Sequence, residues 1–163
     1  MAKSANACVL WACSWLLLSV SQGAMAIGVS IRGVIVAPPA CIVNGGGTLN
    51  VPFGSNLITT RIDGVNYRRS VPYTVTCTGG PSNGMSIRLQ GVSSGFDGTV
   101  LATNNNDLGI KLFINGAAWP LNNAVSFTYP ILPAMEAVPV KRPAATLHAG
   151  TFSTSATLVV VLQ

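Results

Sequence analysis

The sequence predicts an all-β domain, an immunoglobulin-like sandwich of seven or eight short strands. Three observations support this prediction. Several short segments alternate apolar and polar residues with a period of two, Gly-, Asn- and Pro-rich turns separate them at regular spacing, and no segment after the first twenty-odd residues has a helical period. With 163 residues, 49% of them hydrophobic and only 8% charged, the chain can bury one core.

The first 26 residues have the pattern of a cleaved signal peptide. Lys3 gives a positive start, an apolar run covers residues 8–20, and Ala24-Met25-Ala26 supplies the small residues that a signal peptidase needs. We expect cleavage directly after this motif, so that Ile27 becomes the first residue. Lipoprotein processing at Cys13 is an alternative, but the apolar residues beyond Cys13 disfavour it. The apolar run is too short for a membrane span, and no direct membrane span is expected elsewhere.

A short alternating segment opens the mature chain. One face of this segment would carry Ile27, Val29, Ile31, Gly33 and Ile35. Pro38-Pro39 ends the segment, because proline cannot donate to a ladder and restricts the residue before it. The pattern fits either a separable arm, residues 27–37, or an ordinary first strand of the sandwich.

Two cysteines remain once the signal peptide is removed, Cys41 and Cys77. An even pair in an exported protein indicates a disulfide, and two thiols without a nearby histidine cannot complete a zinc shell. We therefore predict a Cys41–Cys77 bridge. We expect no metal and no other cofactor.

Turn signals divide the rest of the chain into short predicted strands. Asn44-Gly45-Gly46-Gly47 predicts a bend. The segment is not a phosphate loop, because no Lys-Ser or Lys-Thr pair follows its glycines. Asn115-Gly116 predicts a tight hairpin. Four prolines in residues 130–143 restrict pairing there to a sheet edge or to one brief strand around Val138 and Val140. The other predicted strands cover residues 49–53, 71–77, 85–89, 99–102, 108–114, 119–121 and 125–129.

The last fourteen residues, 150–163, predict a strand. Val159 and Val161 make its end apolar on both faces, and such a strand leaves a free edge that can pair with another chain. The same pattern also fits an ordinary central or edge strand of a sandwich. The alternate positions of the apolar face are Phe152, Thr154, Ala156, Leu158, Val160 and Leu162.

The residues that could carry chemistry do not form a catalytic constellation. His148 is the single histidine and has no partner in its sequence neighbourhood. Turn chemistry explains three of the four carboxylates: Asp63 and Asp97 each precede a glycine, and Asp107 follows a run of asparagines. We therefore predict that the protein is not an enzyme.

The charge balance gives no sign of a nucleic-acid partner. Without Lys3 the chain has eight basic and four acidic residues. The two basic doublets, Arg68-Arg69 and Lys141-Arg142, lack the interleaved aromatic residues of a nucleic-acid platform, so we interpret them as solvated loop charges.

Four features together resemble the subunits of bacterial pili assembled by the chaperone-usher route, most closely the minor, tip-fibrillum type. They are the signal followed by Ile31-Arg32-Gly33-Val34-Ile35, the segment Pro38-Pro39-Ala40-Cys41-Ile42-Val43-Asn44, Cys77 at the end of a strand, and Gly150 fourteen residues from the C-terminus. The resemblance covers the whole mature chain and makes residues 38–163 the pilin domain.

The resemblance implies that the immunoglobulin-like sandwich is incomplete and lacks its last strand. A groove beside the C-terminal strand would be filled first by a periplasmic chaperone and then, at an outer-membrane usher, by the arm of a neighbouring subunit. The residues donated to the neighbour would be Val29, Ile31, Gly33 and Ile35. The groove strand would present Gly150, Phe152, Ala156, Leu158, Val160 and Leu162.

The function that follows from the resemblance is that of a structural subunit of an adhesive pilus. It would polymerise by donor-strand exchange, as a minor or adaptor subunit, and be exported through the periplasm to the cell-surface fimbrium. One alternative is a single-domain adhesin that binds a host glycan or protein, although tip adhesins of this system carry an extra receptor-binding domain. An unrelated secreted enzyme is the third hypothesis, and it would need a clustered site around His148 or the carboxylates.

Overall fold

The computed structural model describes residues 28–35, 40–79 and 83–163. The chain separates into a unit that ends at Val34 and a domain that runs from Ile35 to Gln163. The predicted signal peptide, Ile27 and residues 36–39 lie outside the described residues. Within the described part of the chain, no helix is long and apolar enough to cross a membrane.

The described part of the domain contains ten strands and two single turns of 3-10 helix, Asn44–Gly46 and Thr59–Arg61. The strands are β1 (Ala40–Val43), β2 (Arg69–Ser70), β3 (Val75–Thr78), β4 (Gly84–Gln90), β5 (Leu101–Ala102), β6 (Leu108–Ile114), β7 (Ala117–Trp119), β8 (Ala124–Thr128), β9 (Met135–Lys141) and β10 (Thr157–Leu162).

The strands of the described residues form three antiparallel sheets: β1 pairs with β3, and two larger sheets enclose the core. One contains β10, β4 and β8 in that order, and the other contains β2, β9, β6 and β5, with β7 pairing with β6 as well. Ile87 on β4, Leu112 on β6 and Ala137 on β9 belong to one buried cluster, so side chains from both sheets share a single core. The predicted all-β class is confirmed.

Local sequence signals predicted several strands correctly. The predicted strand 108–114 is β6, and β4 contains the predicted residues 85–89. Asn115 and Gly116 both have positive φ, 48° and 80°, as a tight hairpin turn requires, and β6 and β7 pair across them. The predicted hairpin is therefore confirmed.

The observed pairing of strands corrects the predictions for two segments. The predicted strand 49–53 joins no ladder, because no strand of the described residues lies beside it. The predicted strand 150–163 is paired only from Thr157 to Leu162. Thr157 pairs with Gln90, the last residue of β4, so residues 150–156 extend beyond the end of their partner.

The restriction that we expected from the prolines is also wrong. β9 is seven residues long and lies inside its sheet between β2 and β6, although it contains Pro139. The carbonyl of Pro139 accepts a hydrogen bond from the backbone N–H of Gly64 at 3.2 Å, on the side that faces away from β6. In an antiparallel strand the N–H and C=O of one residue point the same way, so the missing donor of Pro139 also faces away from β6. β2 pairs only with Glu136 and Ala137, and the ladder loses no hydrogen bond.

The predicted disulfide is confirmed. Cys41 on β1 lies opposite Cys77 on β3 in the antiparallel register, and the two are bridged. Both sulfur atoms lie 3.8 Å from Sδ of Met85, which is buried on β4. The bridge therefore joins the β1–β3 pair and packs it against the core.

Replacing both bridged cysteines by serine is expected to lower the free energy of unfolding by about 4 kcal/mol, because the bridge closes a long loop in the unfolded chain. Urea unfolding of the oxidised mature chain and of the Cys41→Ser, Cys77→Ser variant measures the difference. Equal unfolding midpoints would contradict this expectation.

Candidate functional site

An open groove lies between two extended segments of the domain, residues 46–57 and residues 150–158. Its volume is about 1040 Å³. The side chains at its base belong to the main core or pack against it, so the groove reaches into the interior of the sandwich. These base residues are Val71, Leu89, Leu101, Ile110, Leu112, Met135 and Ala137.

Most of the length of both walls lies outside the β-ladders. Among the described residues, no backbone-to-backbone hydrogen bond involves residues 48–57. In residues 150–156 only the carbonyl of Ser153 makes one, with the N–H of Asn104 at 3.1 Å. Side chains hold this second wall: the N–H of Ser153 donates to Oδ1 of Asn104 at 2.9 Å, and the Thr154 hydroxyl donates to the carbonyl of Ala102. Two extended segments with unpaired main-chain groups can form ladders with an added strand.

The groove is lined by uncharged residues. Its lining, within the described residues, contains no Asp, Glu, Lys, Arg, His or Cys. The described residues also hold no group of three or more His, Cys, Asp or Glu side chains that could bind a metal ion. The geometry therefore suits an extended, apolar occupant.

The structure brings four of the six predicted groove-strand residues to the groove: Gly150, Phe152, Ala156 and Leu158. The other two, Val160 and Leu162, lie further along β10 opposite Ile87 and Met85, with half-buried side chains. Phe152, Leu158 and Val160 pack against the main core cluster.

Sequence reasoning missed the opposite wall. Its apolar side chains are half-buried and come from Leu49, Val51, Phe53 and Leu57. The alternation of Leu49, Val51 and Phe53 was a usable signal, but it predicted an ordinary sandwich strand. Only the fold shows that this segment faces residues 150–158 across an open space.

Residues 28–35 are extended and belong to no ladder of the described residues. Val29, Ile31 and Ile35, three of the predicted donor residues, expose 81%, 91% and 100% of their surface. A Cβ atom added at Gly33 would meet nothing within 4 Å among the described residues, and the same is true at Gly28. No contact in the described chain therefore requires a glycine at position 33.

All four carboxylates are engaged away from the groove. Oδ1 of Asp63 accepts hydrogen bonds from the N–H groups of Asn66 and Val65 at 2.8 and 2.9 Å, which lowers the pKa of Asp63. The hydroxyl and N–H of Thr99 likewise lower the pKa of Asp97. These are the turn contacts that the sequence predicted.

The remaining two carboxylates form surface ion pairs. Asp107 pairs with Arg142 at 2.6 Å and Glu136 with Arg68 at 3.1 Å. The guanidinium of Arg68 also lies 3.8 Å from the centre of the Phe113 ring. The interpretation of both doublets as solvated loop charges is therefore wrong in two respects. One arginine of each doublet is paired, and the other member of each, Arg69 or Lys141, belongs to a strand.

The comparison with protein families decides the identity. The model of the family described as fimbrial protein matches residues 29–163. The chain belongs to the fimbrial protein family. Because subunits of this family are structural, the prediction that the protein is not an enzyme is confirmed.

Other fimbrial proteins resemble this one in sequence and in fold. The uncharacterized fimbrial-like protein YfcR of Escherichia coli (strain K12) is 38% identical over 160 residues, 94% of this chain and 91% of YfcR. The P pilus rod subunit PapA has a TM-score of 0.65 at 18% identity, covering 78% of this chain and all of PapA. The P pilus adaptor subunit PapF has a TM-score of 0.52 at 22% identity, covering 80% of this chain and all of PapF. The fimbrial protein thus has the immunoglobulin-like fold of pilus subunits.

Proposed function

We propose that this fimbrial protein is a structural subunit of an adhesive pilus that polymerises by donor-strand exchange. Its groove accepts an extended strand from another chain, and its own arm, residues 27–37, fills the groove of a neighbouring subunit. A periplasmic chaperone occupies the groove first and delivers the subunit to an outer-membrane usher.

The observation that carries the proposal is the groove itself. Its base is the hydrophobic core, its lining is uncharged, and its walls have main-chain groups without ladder partners among the described residues. An added strand would pair with both walls and cover the core with alternate side chains. This is the mode of recognition in which main-chain hydrogen bonds give affinity and side-chain pockets give specificity.

The arm has the properties of a donor strand. Its apolar residues Val29, Ile31 and Ile35 are exposed, and exposed apolar side chains at alternate positions can enter a groove from one side. Burial of three such side chains would contribute about 5 to 9 kcal/mol before the costs of ordering and association. Gly33 would lie where the neighbour's groove is too shallow for a side chain.

The subunit is exported through the periplasm to the cell-surface fimbrium, where it is a minor or adaptor subunit. Immunogold labelling of intact pili tests this position. Label confined to the fibre tips supports a minor or adaptor subunit, and label along the whole shaft would show that the protein is a rod subunit.

Co-expression in the periplasm with the cognate chaperone tests the assembly mechanism. Alone, the mature protein is expected to be degraded or to aggregate, because the apolar side chains that line its groove are only half-buried and most main-chain groups of its walls have no ladder partner among the described residues. With the chaperone it is expected to be recovered as a one-to-one complex. A stable monomer recovered in the same yield without any chaperone would overturn the proposal.

A further inference from the structure

Two aromatic rings meet across the groove. Phe53 comes from the first wall and Phe152 from the second, and their ring centroids are 5.8 Å apart with an interplanar angle of 44°. Both side chains are half-buried and pack against the main core cluster. Ring pairs at this distance and tilt attract each other beyond the area that they bury.

The position of this contact matters because a strand in the groove needs the space between the walls. Paired strands lie about 4.8 Å apart, so an inserted strand requires its two neighbours to be separated by roughly 9.6 Å. Every second side chain of that strand points toward the core. Because ring centroids 5.8 Å apart leave no room for a third side chain between them, a core-facing side chain of the inserted strand can enter between Phe53 and Phe152 only if the rings separate.

The two rings are held from different sides of the groove. Phe152 also packs against a second buried cluster formed by Ile62, Leu108 and Leu147. At Phe53 the backbone carbonyl accepts a hydrogen bond from the guanidinium of Arg69 at 3.4 Å. Among the described residues, residues 48–57 make no backbone-to-backbone hydrogen bond, whereas Ser153 and Thr154, next to Phe152, bond to Asn104 and Ala102. The Phe53 side is therefore freer to move than the Phe152 side.

We propose that Phe53 and Phe152 form an aromatic gate, which covers the core at this part of the empty groove and must open before a donor strand can insert. This inference rests on the proposed function, because it concerns the same groove. The gate adds a step to insertion. It selects donors by how well their side chains replace the ring contact.

Uptake of a peptide tests the gate. A fluorescein-labelled peptide with the sequence of residues 27–37 is mixed in excess with the refolded mature chain, and fluorescence anisotropy gives its association and dissociation rate constants. Phe53→Ala is expected to raise the association rate constant by about 2- to 13-fold, the range that corresponds to loss of an aromatic pair. Phe53→Leu retains an apolar side chain, in case the alanine variant does not fold, and it is expected to change the rate in the same direction.

Val51→Ala is the matched control. Val51 lies two residues away on the same wall, lines the groove and is also half-buried, and its side chain has no ring that could form an aromatic pair. Its variant is expected to raise the dissociation rate constant and to leave the association rate constant unchanged. The same pattern in the Phe53 variants would show that Phe53 only supports the bound strand, and it would overturn the gate while leaving the proposed function intact. A wild-type chain that takes up no peptide would count against donor-strand uptake and overturn the gate with it.

Discussion

Leu158→Asp is expected to abolish capture of the subunit by its chaperone. Leu158 lines the groove, is half-buried and packs against the main core cluster. An aspartate there would place an unpaired carboxylate against an apolar lining, at a cost of several kcal/mol. Because a loss of this size corresponds to at least about a hundredfold weaker binding, the one-to-one complex should not be recovered from the periplasm. Phe152→Asp is expected to act in the same way.

An exposed residue further along the same strand provides the control for this experiment. Val161 is exposed on β10 and does not line the groove, so Val161→Asp adds the same charge without placing it in the groove. This variant should co-purify with the chaperone as the wild-type chain does. Capture of Leu158→Asp at the wild-type level would contradict the assignment of the groove as the chaperone site.

Gly33→Phe is expected to prevent the subunit from filling the groove of its neighbour and to leave its own chaperone complex intact. A Cβ atom at position 33 would meet nothing within 4 Å among the described residues, so the fold should tolerate the phenylalanine. If the neighbour's groove is shallow at this position, as we propose, the same ring would have no pocket there, and such overpacking would cost about 1 to 3 kcal/mol or more, roughly a 5- to 150-fold loss of binding.

Gly28→Phe is the matched variant, since position 28 is equally open and lies on the other face of the arm. The fraction of each variant that is incorporated into purified pili measures donation, and co-purification measures chaperone binding. We expect incorporation of Gly28→Phe and exclusion of Gly33→Phe. Loss of the chaperone complex in Gly33→Phe would show that Gly33 serves its own fold.

Alternation and turn chemistry predicted those parts of the fold that local sequence determines. The hairpin at Asn115-Gly116 and the strand β6 follow from residues that are close together in the chain. The paired residues of β10 alternate in burial as the sequence predicted, although Val159 is half-buried on the second face. The Cys41–Cys77 bridge required only the removal of the signal peptide and a count of the remaining cysteines.

The features of the fold that the sequence did not predict depend on pairing between residues that are distant in the chain. Leu49, Val51 and Phe53 have the pattern of a strand, but a strand also needs a neighbour, and none of the described residues provides one. Pro139 fits inside a sheet because its nitrogen, which has no hydrogen to donate, points to the side where β2 has already ended. The number of prolines in the sequence does not predict this arrangement. The contact between Phe53 and Phe152 joins residues far apart in sequence, and only the folded chain brings them together.

The melting temperature of a chain that carries its own donor strand is the most direct test of the open groove. Residues 27–37 are appended after Gln163 through a short turn that contains Asn-Gly, so that the added strand can run antiparallel to β10 at high effective concentration. The control fusion has serine in place of Val29, Ile31 and Ile35 in the added strand. We predict a melting temperature at least about 10 °C above that of the control, because the added side chains would cover the half-buried apolar side chains that line the groove. Equal melting temperatures for the two fusions would contradict the claim that the groove accepts an apolar strand.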